Sequence, residues 1–106
     1  RAVADSAPVF AALGDRTRLS LLMTLGDGRS RSIATLTADR RLTRQAVTKH
    51  LRVLENAGLV RSVRAGRESR FAARPEALEE ARRYLDAVSA QWDDALSRLR
   101  AHVEKG

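Results

Sequence analysis

The chain has 106 residues, 43% hydrophobic, 31% charged and 4% aromatic, which suits one domain with a core of small aliphatic side chains. Lys and Arg number 20 against 13 Asp and Glu, a formal charge of +7 that points to an anionic partner. Cysteine is absent, which excludes disulfides, thiolate metal sites, thiol redox sensing and cysteine nucleophiles.

In chain order, Ser6 followed by Pro8 reads as a helix start, a hydroxyl cap with proline in the first turn, and Val9, Phe10 and Leu13 give that helix an apolar stripe ending at Gly14. Asp15 can cap a second helix running through Leu25. Its Leu19, Leu21, Leu22, Met23 and Leu25 surround the axis, as expected of a buried central helix. Gly26-Asp27-Gly28 breaks the chain. Ser32 can cap a third helix from Ile33 to about Arg40, with Ile33 and Leu36 facing inward. Thr43 caps a fourth, Arg44 to Asn56, whose Val47, Leu51 and Leu54 recur at spacings of four and three; Ala57-Gly58 ends it.

Leu59 to Arg64 and Ser69 to Ala73 are β-prone runs joined by Ala65-Gly66-Arg67-Glu68, which predicts a two-stranded hairpin. From Pro75 to about Lys105 the pattern is helical again. Leu78, Ala81, Leu85, Val88, Trp92, Ala95, Leu99 and His102 form a mostly apolar seam at alternating steps of three and four. A helix of about 30 residues spans roughly 45 Å, too long to pack fully against so small a body. The fold class expected is therefore mainly α: about five helices, a hairpin, and a long C-terminal helix.

The charge is concentrated. Residues 40–74 hold nine Arg and Lys49 against Glu55 and Glu68, a net of +8, while residues 75–106 hold five basic and seven acidic residues, a net of −2. Ser32 to Asn56 reads as two helices joined by a tight turn, the second longer and more basic. With Val47, Leu51 and Leu54 inside, Gln45, Thr48, Lys49 and Arg52 share the outer face, and Arg44 lies in the first turn. Gln suits adenine, Lys and Arg suit guanine or phosphate, and Thr suits phosphate or a thymine methyl. The same pattern would also suit the solvated face of a bundle helix. In the hairpin, Arg61, Arg64, Arg67 and Arg70 lie within ten residues. They would hold phosphates beside a groove, or guard a strand edge against pairing.

Two stretches carry a resemblance: Ala12-Leu13-Gly14-Asp15-Arg16-Thr17-Arg18-Leu19, and the run from Thr43-Arg44-Gln45-Ala46-Val47-Thr48-Lys49-His50-Leu51 to Gly58-Leu59-Val60. Together they resemble the ArsR/SmtB family of bacterial winged-helix repressors, and the order of elements matches from about Phe10 into the last helix. The resemblance implies a winged helix-turn-helix fold and a homodimer built on the first and last helices. It also implies double-stranded DNA as partner, with an inverted-repeat operator and autorepression. Its DNA-facing positions fall on Thr43, Arg44, Gln45, Thr48, Lys49 and His50, joined by Arg52 on the helix and by Arg64, Arg67 and Arg70 on the wing. Where the family often has Ser-Gln-Pro, this chain has Thr43-Arg44-Gln45, so a base contact from the usual glutamine position would come from Arg44. The dimer interface implied comprises Phe10, Leu78, Leu85, Val88, Trp92 and Leu99.

Many relatives release DNA when a metal binds. The third-helix site needs cysteines near Ala34 to Leu36, where there are none, and the last-helix site needs more than Asp86 and the later His102. No metal and no cofactor are expected, and Trp92-Asp93-Asp94-Ala95-Leu96 resembles a metal-independent branch of the family. Trp92 suits packing between protomers, or else a hydrophobic ligand pocket at the seam. No run approaches the roughly 20 apolar residues of a membrane span, so a cytoplasmic protein with no membrane partner is expected. Neither histidine has an evident acidic partner and no glycine-rich phosphate loop is present, so catalysis is not expected. The competing reading is a winged-helix interaction module whose basic face takes an acidic protein.

Overall fold

A computed structural model of the chain describes residues 6–105. Five helices and a small sheet follow in the order α1 (Ala7–Leu13), α2 (Arg16–Thr24), β1 (Arg31–Ser32), α3 (Ile33–Thr37), α4 (Arg44–Asn56), β2 (Val60–Ala65), β3 (Glu68–Ala73) and α5 (Pro75–Lys105). The sheet is antiparallel with β3 in the middle, in the order β1-β3-β2.

Local signals set most of the boundaries. Asp15, Ser32 and Thr43 each turn a side-chain oxygen onto a backbone N–H three residues on, that of Arg18, Thr35 and Ala46 respectively, as N-caps do. Helix α4 ends by donating from the Gly58 N–H to the Glu55 carbonyl and from the Leu59 N–H to the Leu54 carbonyl. That closure needs a left-handed residue, and Gly58 supplies it at φ 80°. Ser6 behaves otherwise: its backbone is helical (φ −89°, ψ −14°) and its hydroxyl caps nothing, so Pro8 alone marks the start of α1.

One core joins the layers. Val9 and Ala12 of α1 meet Leu21, Leu22 and Leu25, then Leu36, then Val47, Leu51 and Leu54 of α4, with Leu59, Val60 and Phe71 closing it from the hairpin and Ala81 from α5. Helix α2 is one-sided, contrary to the sequence reading. Leu21 and Leu22 are buried, while Leu19 and Met23 face outward, Met23 81% exposed. A helix of nine residues at the edge of so small a body has too few neighbours to cover its whole circumference.

Helix α2 gives way after Thr24 to a 3-10 turn, Leu25–Asp27. Helix α3 stops at Thr37, three residues before the expected end. There the Thr37 hydroxyl and the Arg40 guanidinium take up the carbonyls of Ile33 and Leu36. The hairpin strands lie one residue later than expected on the first arm and one earlier on the second, leaving a two-residue turn, Gly66-Arg67. Gly66 takes φ 64°, as a tight hairpin turn requires of its first central residue. Strand β1 was not foreseen. It is two residues long and is fixed by Arg31, which bonds both oxygens of Asp27 (2.9 and 2.7 Å) and the Thr24 carbonyl (2.8 Å). Helix α5 has the expected limits, and the long axis of the molecule is 68 Å against 30 and 22 Å across it.

Candidate nucleic-acid interface

Helix α4 has a buried side and an open side. Val47, Leu51 and Leu54 anchor it, and Arg44, Gln45 and Lys49 stand exposed. Thr48 is partly covered and donates its hydroxyl to the Arg44 carbonyl at 2.7 Å, which uses its one donor and leaves the oxygen able to accept. Thr43 is occupied by its capping bond to the Ala46 N–H (3.0 Å).

The other two residues expected on this face are engaged elsewhere. His50 is turned towards the start of α2, with its Nδ1 3.5 Å from Nη1 of Arg18 and 3.8 Å from Oδ2 of Asp15. The acidic partner that the sequence did not reveal is thus Asp15, 35 residues away in the chain. Arg52 does not extend the Gln45–Lys49 face. Its Nη1 donates to Glu55 Oε1 (2.7 Å) and Ser62 Oγ (3.2 Å), and its guanidinium lies 5.5 Å from the centre of the Phe71 ring.

The wing divides in the same way. Side chains alternate across a strand, so Val60, Ser62 and Arg64 share the face towards α4, while Arg61 and Val63 share the other. Arg64 and Arg61 are exposed, and Arg67 is exposed at the turn. Arg64 makes one bond, from Nε to the Gly66 carbonyl at 3.3 Å. Arg70 is held in the structure: it donates to the Ser30 hydroxyl (3.0 Å), the Ser30 carbonyl (2.8 Å) and Glu68 (2.9 Å). Among the described residues, the exposed cations of this region without a carboxylate partner are therefore Arg41, Arg44 and Lys49 around α4, and Arg61, Arg64 and Arg67 on the wing, while Arg52 and Arg74 are exposed but paired with Glu55 and Glu76.

Of the residues expected between two copies, Phe10 and Leu78 are already packed against the protomer's own core, Phe10 with its ring 5.9 Å from that of Tyr84. Val88 is partly covered. Leu85, Trp92 and Leu99 are open, and Leu96 and Val103 join them; all five are between 50% and 68% exposed. Sequence reasoning missed Leu96 and Val103, which widen the seam into a stripe on the distal half of α5.

Among the described residues, three carboxylates lie below their ordinary range. Asp27 is lowered by its bonds from Arg31 and from the Arg29 N–H, Asp15 by the Arg18 N–H, and Glu55 by the Ser62 hydroxyl and then Arg52. A carboxyl that binds protons less readily in the fold than in the unfolded chain stabilises the fold fully above the unfolded pKa. That contribution is lost as pH falls through the folded value. The melting midpoint is therefore expected to fall as pH drops below about 4, with a shallower fall for Asp27→Asn. A midpoint unchanged between about pH 5 and pH 2 would contradict these contacts.

Comparison with known proteins agrees with this geometry. The model of the bacterial regulatory protein arsR family matches residues 15–62. The HTH-type transcriptional regulator YuzN of Bacillus subtilis (strain 168) is 45% identical over 65 residues, which cover 56% of this chain and 71% of YuzN. The solved structure of an ArsR-like transcriptional regulator from Rhodococcus sp. RHA1 superimposes with a TM-score of 0.78 at 41% identity, covering 91% of this chain and 90% of that one. A possible transcriptional regulator for arsenical resistance gives 0.69 at 33% identity, covering 86% of this chain and 91% of its own.

The chain belongs to the ArsR family. It is a DNA-binding transcriptional regulator of the winged helix-turn-helix class, and the family is not one of enzymes. Helix α3 reads Ile33-Ala34-Thr35-Leu36-Thr37, and Asp86 and His102 on α5 stand 16 residues, or roughly 24 Å, apart. Among the described residues no three His, Asp or Glu side chains converge as a metal site would require. Among the same residues, no helix is long and apolar enough to cross a membrane.

Proposed function

We propose that this ArsR-family regulator is a single winged-helix domain acting in the cytoplasm as a homodimeric repressor on an inverted-repeat operator. Arg44 and Gln45 read base edges from the first turn of α4, and Thr43, Thr48 and Lys49 hold the adjoining backbone. Arg64 and Arg67 of the wing hold phosphates beside the groove. His50, Arg52 and Arg70, whose side chains are engaged within the fold, set the pose of these elements. Two copies pair through α5 from Leu85 onward (Leu85, Val88, Trp92 and Leu99), with Phe10 and Leu78 at the root of that contact.

The observation that carries this reading is the separation of two surfaces. The excess of exposed cations over carboxylates falls on α4 and the wing, and among the described residues five of the eight exposed large apolar side chains line α5, the others being Leu19, Met23 and Val53. A basic surface attracts phosphate while an uncovered apolar stripe associates with its own kind, so one chain is equipped for both. Any effector would act by changing the angle between the paired helices. Selection of bound duplexes from a random pool is the test. It is expected to enrich one inverted repeat with half-sites one helical turn apart, about 10–10.5 base pairs centre to centre, or a multiple of that. Enrichment of single half-sites without a partner would refute the dimer, and no enrichment would refute sequence reading altogether.

A further inference from the structure

Arg52, Glu55 and Ser62 form a closed triangle. Arg52 Nη1 donates to Glu55 Oε1 (2.7 Å) and to Ser62 Oγ (3.2 Å), and the Ser62 hydroxyl donates to Glu55 Oε2 (2.7 Å). Both carboxylate oxygens are used, and two of the three bonds cross from α4 to β2. The guanidinium also covers the ring of Phe71, which is fully buried and pairs directly with Ser62 across the ladder. One arginine of the recognition helix therefore grips both strands of the hairpin at the same rung.

That rung is the root of the projecting part. Pairing of β3 with β1 covers only Phe71 and Arg70, so the rungs Arg64–Ser69 and Ala65–Glu68 and the turn extend past it. Arg67 stands at the end of a lever of roughly 13 Å, four residues at about 3.3 Å each. A tilt of about 10° at the root displaces its tip by about 2 Å, the difference between a made and a broken hydrogen bond.

We infer that the Arg52–Glu55–Ser62 triangle is a positioning device that fixes the wing against the recognition helix, so that both meet DNA as one rigid reader. The inference rests on the proposed reading in which α4 and the wing bind DNA together. Arg52 and Glu55 are positioning residues; they act through Arg67 rather than on phosphate themselves. The alternative use of Arg52, as a free cation on DNA, gives the opposite sign when Glu55 is removed. Deleting an acidic side chain beside DNA raises the net charge and would by charge alone tighten binding.

The test combines anisotropy titrations on the selected inverted repeat with residual dipolar couplings of the DNA-free protein. Arg67→Ala is expected to weaken binding about tenfold in the otherwise unchanged protein and less than about twofold in the Ser62→Ala or Glu55→Ala background. Glu55→Ala alone is expected to weaken binding in spite of its added positive charge. The couplings of α4 and the hairpin tip are expected to fit one alignment tensor in the unchanged protein and two in Ser62→Ala, whose mutated side chain is exposed and outside the core. Additive losses, tighter binding by Glu55→Ala, or a single tensor in Ser62→Ala would each overturn the inference. If Arg67→Ala is silent while the tensors separate, the triangle keeps its positioning role and the wing's part in DNA binding is what fails.

Discussion

Trp92→Asp combined with Leu99→Asp is expected to convert the protein from dimer to monomer and to weaken operator binding by on the order of 10²–10⁴. Both side chains are open in the single chain, 64% and 58% exposed, and neither belongs to the core. The double variant therefore removes nothing from the core of one protomer, which should fold as before. In the proposed dimer, each substitution occurs on both copies and places carboxylates in an apolar seam. Burying an apolar side chain stabilises by about 1.5–3 kcal/mol, so four such losses alone approach the affinity of a micromolar dimer, about 8 kcal/mol. The cost of four unpaired charges comes on top of that. Sedimentation equilibrium should show the mass fall from twice 11.7 kDa to 11.7 kDa, and the DNA titration should fall to half-site strength. A double variant that still sediments as a dimer would show that the copies pair elsewhere.

The second large effect separates reading from holding. Arg44→Ala and Gln45→Ala remove exposed side chains from the first turn of α4, the part of a recognition helix that reaches base edges. A bidentate base contact is worth about 1–3 kcal/mol of discrimination, and an inverted repeat uses each contact twice. The preference of each variant for the operator over random duplex should therefore shrink by roughly 10–10⁴-fold while binding to random duplex changes little. Arg67→Ala should do the reverse. It should weaken all duplexes alike and lower the slope of log affinity against log salt by about 0.9 per protomer. If Arg67→Ala leaves random-duplex binding and its salt slope untouched, the wing does not lie on the backbone.

Sequence pattern reached the parts of this structure that depend on near neighbours. Thr43 caps α4 and Gly58 closes it through bonds spanning three to five residues, and both ends were predicted. The seam of α5 was readable for the same reason, since its period is written along one helix. What escaped was set by partners far away in the chain. Arg52 and Arg70 have the composition of phosphate-binding arginines, yet Ser62 and Ser30, ten and 40 residues away, decide what each one does. His50 is drawn inward by Arg18 and Asp15 across a similar distance. The two-residue β1 has no pattern to detect, because it exists only where β3 is present to pair with it. Leu19 and Met23 were misplaced because apolar composition all round a helix indicates burial only when the rest of the protein is large enough to surround it. The candidate site was therefore legible as a region, and its division into reading and positioning residues was not.

Competition between duplexes decides whether this chain recognises a particular sequence through α4 and the wing. With labelled inverted repeat bound at about 150 mM salt, unlabelled copies of the same repeat and of its shuffled sequence are titrated against it. The repeat is expected to compete at least about 10³-fold better than the shuffled duplex. Equal competition by the two would mean that the basic surface holds DNA without reading it and would refute sequence recognition.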